Sequence, residues 1–313
     1  MRFDSILITD WSGGGDRGPR PVKDAIWAGL ARADGGRDAP VYLRNRAVAE
    51  DWIATTLARE RAAGRRVLAG FDFPFGYPAG FAARVLGRAD PLALWDWFAT
   101  ELPPGRGAAE EPCRFALAGR LNGLFPGIGP FWFNGRREDV PGLPRKGNAR
   151  QGHGMAERRL ADSRAKGAFP CWQMGGAGAV GSQAMTGQAA LARLRRRFGA
   201  DLAVWPFQPC DRAGIVLAEV WPSLLGRAVV PEPGEVKDAA QVRLLAAALV
   251  GMQAVGHLAD LLTTAPEVAK AEEGWILGLG TEDSLTRALL SPSGRAAAGL
   301  GSAPMTCEDT VND

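Results

Sequence analysis

SILITDWSGGG, residues 5–15, decides how the chain begins. Ile6, Leu7, Ile8 and Thr9 are β-branched or bulky and favour a pleated, buried strand. Asp10 closes that strand, and Trp11, Ser12 and a run of glycines follow. Asp and Gly are favoured turn residues, so the boundary reads first as an ordinary strand-to-turn junction. The same arrangement sets a carboxylate beside permissive backbone, which also suits a metal ion or a phosphate.

Outward from this stretch, AIWAGLARA (25–33) returns as a second strand and PVYLRN (40–45) supplies a third. Connections this short favour antiparallel neighbours. Val48, Trp52, Ile53, Leu57 and Ala58 then recur at helical spacing, and Gly64 ends the helix. RRVLAGFDFPFGYP (65–78) is the next strand and reaches a second aspartate, Asp72. Residues 79–125 read as two or three helices punctuated by Pro91, Pro103-Pro104 and Pro126, and 126–155 as a long loop. AALARLRRRFG (189–199) predicts a helix with an exposed basic face, and ADLAVWPF (200–207) a short strand. AGIVLAEVWPS (213–223) is a further strand and carries Glu219. The segment 237–262 is the longest helix and is apolar on nearly every side, hence buried. Asp238 sits in its first turn, where a carboxylate complements the helix dipole. Residues 281–313 show little core-forming pattern and are expected to be disordered. With no repeat and no break in composition, one domain is expected over 1–280, with an insertion around 79–200.

Hydrophobic residues make up 46% of the 313 and charged ones 23%, the range of a soluble globular chain with a substantial core. A net charge of +3 does not by itself call for nucleic acid. The scattered cysteines (Cys113, Cys171, Cys210, Cys307) and two histidines (His153, His257) show no zinc or redox spacing. Any metal should therefore be a hard ion held by oxygen. No apolar run is long enough for a bilayer and no secretion signal is visible, so a cytoplasmic protein without membrane contact is expected. The oligomeric state is left open. Between Asn134 and Lys166, nine Arg or Lys face four acids, so 134–155 is expected to form a mobile basic loop able to face an anionic ligand.

The acids draw these elements together. If the first and fourth strands are parallel neighbours, Asp10 and Asp72 meet at one edge of the sheet. Converging carboxylates repel one another unless a cation joins them, commonly Mg²⁺ or Mn²⁺. The order of elements resembles the ribonuclease H-like fold. The local motifs resemble the domain of unknown function 429 family within it: ITDWSG, AGFDFPFGYP, GSQAMTGQAALARLRRRFG leading to VWPF, AEVWPS, KDAAQ and EGWILG, over roughly residues 3–280. The resemblance implies an α/β protein with a mixed five-stranded sheet flanked by helices, plus a helical and loop insertion. It also implies an acidic site at Asp10, Asp72, Glu219 and Asp238. Sequences of this kind carry labels linked to molybdopterin guanine dinucleotide or cobalamin synthesis.

The expected activity is metal-dependent phosphodiester or nuclease-like hydrolysis on nucleic acid or a phosphorylated small molecule. Asp10, Asp72 and Asp238 would hold Mg²⁺ or Mn²⁺, and Glu219 would position water. Ser12, Lys237 and Arg159 would contact substrate. The proline after Glu219 (Pro222) suggests a strand ending there, with the carboxylate turned away from Asp10. Two alternatives stand beside this reading. One is actin-like phosphotransfer from ATP, with Ser12 and Gly13 at the phosphates. The other is a non-catalytic binding protein using PFWF (130–133), with Trp95 and Phe98 expected in the core. A Cys171–His153 nucleophilic pair lacks an identifiable orienting acid.

Overall fold

A computed structural model describes residues 1–103 and 111–300, with 111–113 described by backbone alone. Strand β1 (Ser5–Asp10) pairs antiparallel with β2 (Ile26–Arg32), and β2 with β3 (Arg37–Leu43). Helix α1 (Arg46–Ala62) then crosses back, and β4 (Val67–Phe71) lies parallel to β1 on its other side. Asn45 caps α1 by accepting from the Val48 amide at 2.9 Å. Three helices follow: α2 (Phe81–Leu86), α3 (Pro91–Glu101) and α4 (Glu111–Asn122). After α5 (Leu160–Arg164) and α6 (Val180–Phe198), β5 (Leu202–Val204) and β6 (Ile215–Glu219) complete the sheet. The order is β3-β2-β1-β4-β6-β5, with one antiparallel half and one parallel half.

The sheet therefore has six strands, not five: the short segment 202–204 pairs with β6 and forms the edge. Both faces are covered, which explains why β1, β4 and β6 carry continuous apolar runs (6–8, 67–71 and 215–218) rather than alternating. Leu7, Ala69, Phe71 and Leu217 face a core built with α1, α3 and α6. Ile6, Ile8, Leu68, Val216 and Ala218 face the other core, centred on α7 (Lys237–Ala254). Each Leu, Ile, Val and Phe among them contributes about 1.5–3 kcal/mol by leaving water, and the alanines less. Helix α7 is buried along most of its length, as its all-round apolar sequence predicts.

Three sequence expectations change. Helix α6 begins at Val180 rather than 189, because its first turns are written in Gly, Ser, Gln and Thr. Gly187 is needed there: a Cβ would sit 2.4 Å from the Phe73 ring. The long helix stops at Ala254, and Gly256 (φ +83°) turns the chain into the short α8 (Leu258–Leu261). Residues 282–298 are ordered, against the expectation of a disordered tail. They form α9 (Glu282–Leu290) and α10 (Pro292–Ala298), packed on α7. The contact is made by small residues, and a Cβ on Gly251 would lie 2.1 Å from the Ala288 carbonyl oxygen. Residues 301–313 of that expected tail lie outside the described residues. Among the described residues, no helix is long and apolar enough to cross a membrane.

Candidate active site

Register places the first two acids side by side. Parallel pairing aligns Thr9 with Phe71, and the Asp72 amide donates to the Thr9 carbonyl at 3.0 Å. Asp10 and Asp72 thus leave adjacent strands at the same end of the sheet. Both are half-buried, and among the described residues no hydrogen-bond donor reaches either carboxylate. Burial pushes the Asp10 carboxyl well above the usual range, and the charges of Asp72, Asp238 and Asp24 push it further. Asp72 is raised to about 7, first by burial and then by Glu219.

Asp238, at the start of α7, faces the same space. Its Oδ2 accepts from the Asp24 amide at 2.7 Å, and burial raises its pKa. Lys237 stays exposed beside it and only offsets part of that shift, so its expected role in holding substrate gains no support from geometry. Asp24, which sequence reasoning missed, holds a positive φ of 56° next to β2. A lone Asp in the RPVKDA turn gave no signal for this.

A cavity of roughly 770 Å³ joins Asp10, Asp24 and Asp238, while Asp72 lines a second cavity of roughly 250 Å³ that shares Gly178 and Gln183 with it. Arg17, Arg114 and Arg136 line the larger cavity as well, together with the glycine-rich segment 175–178. Arg136 comes from the predicted basic loop, which therefore does reach the site. Two of that loop's arginines are held by neighbouring segments of chain. Arg145 donates to the carbonyls of Asn134, Arg136 and Arg137 and to Asp139, while Arg150 grips Glu157.

The glycines after Asp10 serve packing as well as access. A Cβ at Gly13 would stand 2.7 Å from Ser182 Cβ, so this backbone abuts the first turn of α6. Arg46 donates to the Gly13 carbonyl at 2.8 Å and also to that of Gly14. Ser12 lines the cavity; its Oγ accepts from the Gly14 amide at 3.2 Å and donates to the Asp24 carbonyl at 3.3 Å.

Two expected site residues are committed elsewhere. Arg159 is 1% exposed, and its guanidinium is occupied by carboxylates beside the cavity that Asp72 lines. Its Nη2 lies 2.6 Å from Glu219 Oε1 and 2.7 Å from Asp162 Oδ1, and its Nη1 lies 2.8 Å from Glu219 Oε2. Glu219 Oε2 also accepts from the Phe75 amide at 2.9 Å, so both oxygens of this expected catalytic acid are taken. Glu219 acts on the site through its charge on Asp72. Its strand ends there as its Val-Trp-Pro neighbours imply. Cys171 is fully buried and burial drives its thiol pKa upward, which removes it as a nucleophile.

Among the described residues, no three of His, Cys, Asp and Glu are gathered closely enough to hold a metal ion unaided. Asp10 and Asp72 nevertheless fit a hard divalent cation. They are oxygen donors, unpaired, adjacent and mutually repulsive. Mg²⁺ in particular is commonly held by one or two carboxylates, with water and substrate phosphate filling the other positions. No protein-family model, no curated protein and no solved structure matches this chain.

Proposed function

We propose that this protein is a divalent-metal-assisted phosphoester hydrolase of ribonuclease H-like architecture, related to the domain of unknown function 429 sequences. Three antiparallel strands, a crossing helix and a parallel fourth strand support the fold assignment. The observation that carries the function is the donor-free pair Asp10 and Asp72 on adjoining strand ends, Asp10 lining a cavity that also holds arginines and Asp72 lining the cavity beside it. Asp10 and Asp72 would hold the ion, Mg²⁺ or Mn²⁺. When bound, the ion neutralises phosphate charge and eases deprotonation of water. Arg17 and Arg136 bind the phosphate oxygens and orient the ester. Asp238, oriented by the Asp24 amide, accepts the proton of the attacking water. The phosphotransfer alternative has less support, because Arg46 ties down the glycine-run carbonyls and buried Trp11 crowds the approach.

The test is release of nitrophenolate from bis(4-nitrophenyl) phosphate on adding Mn²⁺. Turnover should vanish with chelator and fall at least about 100-fold in Asp72→Asn. Equal turnover in that variant would overturn the assignment.

A further inference from the structure

Phe133 is the aromatic residue of the PFWF segment that the fold does not consume. Phe131 is fully buried, and Trp132 lies under the Arg150 guanidinium, 5.6 Å from ring centroid to Cζ. Phe133 is half-buried and lines the cavity that holds Asp10. Its backbone sits at φ +77°, a region bulky L-residues rarely enter. Hydrogen bonds hold it there from both sides. The Trp132 amide donates to the Trp172 carbonyl at 3.1 Å, and the Phe133 amide to the Pro144 carbonyl at 2.9 Å. Strain of this kind persists where surrounding structure fixes it, and it concentrates at ligand sites.

The ring lies against bare backbone. A Cβ at Gly175 would be 2.6 Å from Phe133 Cδ1, and one at Gly176 would be 2.9 Å from Cε2. Gln173 secures that backbone by donating to the carbonyls of Gly175 and Ala177, each at 2.7 Å. The fold thus backs one aromatic ring with glycine peptides and leaves the rest of it lining a cavity that also contains arginines and carboxylates.

Resting on the hydrolase reading above, we infer that the substrate carries a nucleobase, which stacks on Phe133 while the attached phosphate reaches Arg136 and Asp10 in the same cavity. Every nucleobase has a π-face, so one ring serves without reading sequence. A sugar can also lay its C–H face on such a ring, so the abasic strand, which keeps sugar and phosphate and lacks only the base, is the comparison that decides.

The experiment is equilibrium binding in chelator, so that no turnover is needed. The probes are a short deoxyadenylate strand, adenosine monophosphate, and an abasic strand of the same length. The two base-carrying probes separate a strand from a free nucleotide as the ligand. Wild type should bind at least one of them about tenfold more tightly than the abasic strand. Phe133→Leu should lose that preference while leaving abasic binding unchanged, and Phe133→Tyr should restore it. A thermal melt checks that Phe133→Leu stays folded. No base preference in wild type, no binding of any probe, or equal loss on all probes in Phe133→Leu would overturn the inference. Hydrolysis of bis(4-nitrophenyl) phosphate that still depends on Asp72 would leave the hydrolase reading standing in each case.

Discussion

Asp72 keeps its proton to about pH 7 in the folded protein, whereas an unperturbed aspartate releases it near 3.8. Between those values the folded state binds more protons than the unfolded one. Stability should therefore fall as pH rises through this window and level off above about pH 7. Urea midpoints at about pH 5 and about pH 8 check this: wild type should drop, and Asp72→Asn should drop less. Equal drops would show that Asp72 does not carry the linkage. Arg159 poses the opposite case, a buried cation answered by Glu219 and Asp162. Removing it leaves two carboxylates unpaired in the interior, so Arg159→Leu should lose about 3–5 kcal/mol in urea denaturation. A loss under about 1 kcal/mol would mean the cluster is not structurally important. At this scale the sequence was half legible. Asp10, Asp72 and Asp238 are marked by the ends of the elements that carry them. The commitment of Glu219 to Arg159, sixty positions away, has no local signature.

Elements were easiest to read where large apolar residues repeat. β1, β4, β6 and α7 announce themselves because each is buried on all sides, and pattern follows burial. The first turns of α6 and the helices after residue 280 did not. Their contacts depend on what is missing, a side chain at Gly187, Gly251 and Gly294. Propensity counts such residues against a helix, although close backbone approach is what they permit. Gly251→Ala should accordingly destabilise by about 1–3 kcal/mol by pushing α9 off α7, despite alanine's better helix propensity. Urea denaturation decides it, and a neutral or stabilising result would mean that α9 yields at no cost.

Across the whole molecule, the parallel half of the sheet and its antiparallel neighbour meet at β1 and β4, and the strand-ending acids collect at that seam. The arginines of the cavity come from segments far apart in sequence, Arg17, Arg114 and Arg136, which only tertiary folding brings together. Such a site trades stability for function: unpaired neighbouring carboxylates repel until a cation arrives. Asp10→Asn should relieve that repulsion, whereas a merely structural Asp10 would lose turn interactions worth about 1 kcal/mol. The most direct measurement is a set of thermal melts of wild type and Asp10→Asn, each in chelator and in millimolar Mn²⁺. Wild type should gain stability from Mn²⁺ and the variant should not, while in chelator the variant melts at the same temperature as wild type or higher. If wild type gains nothing from Mn²⁺ and the variant melts lower in both conditions, Asp10 is a turn residue and the metal-assisted site does not exist.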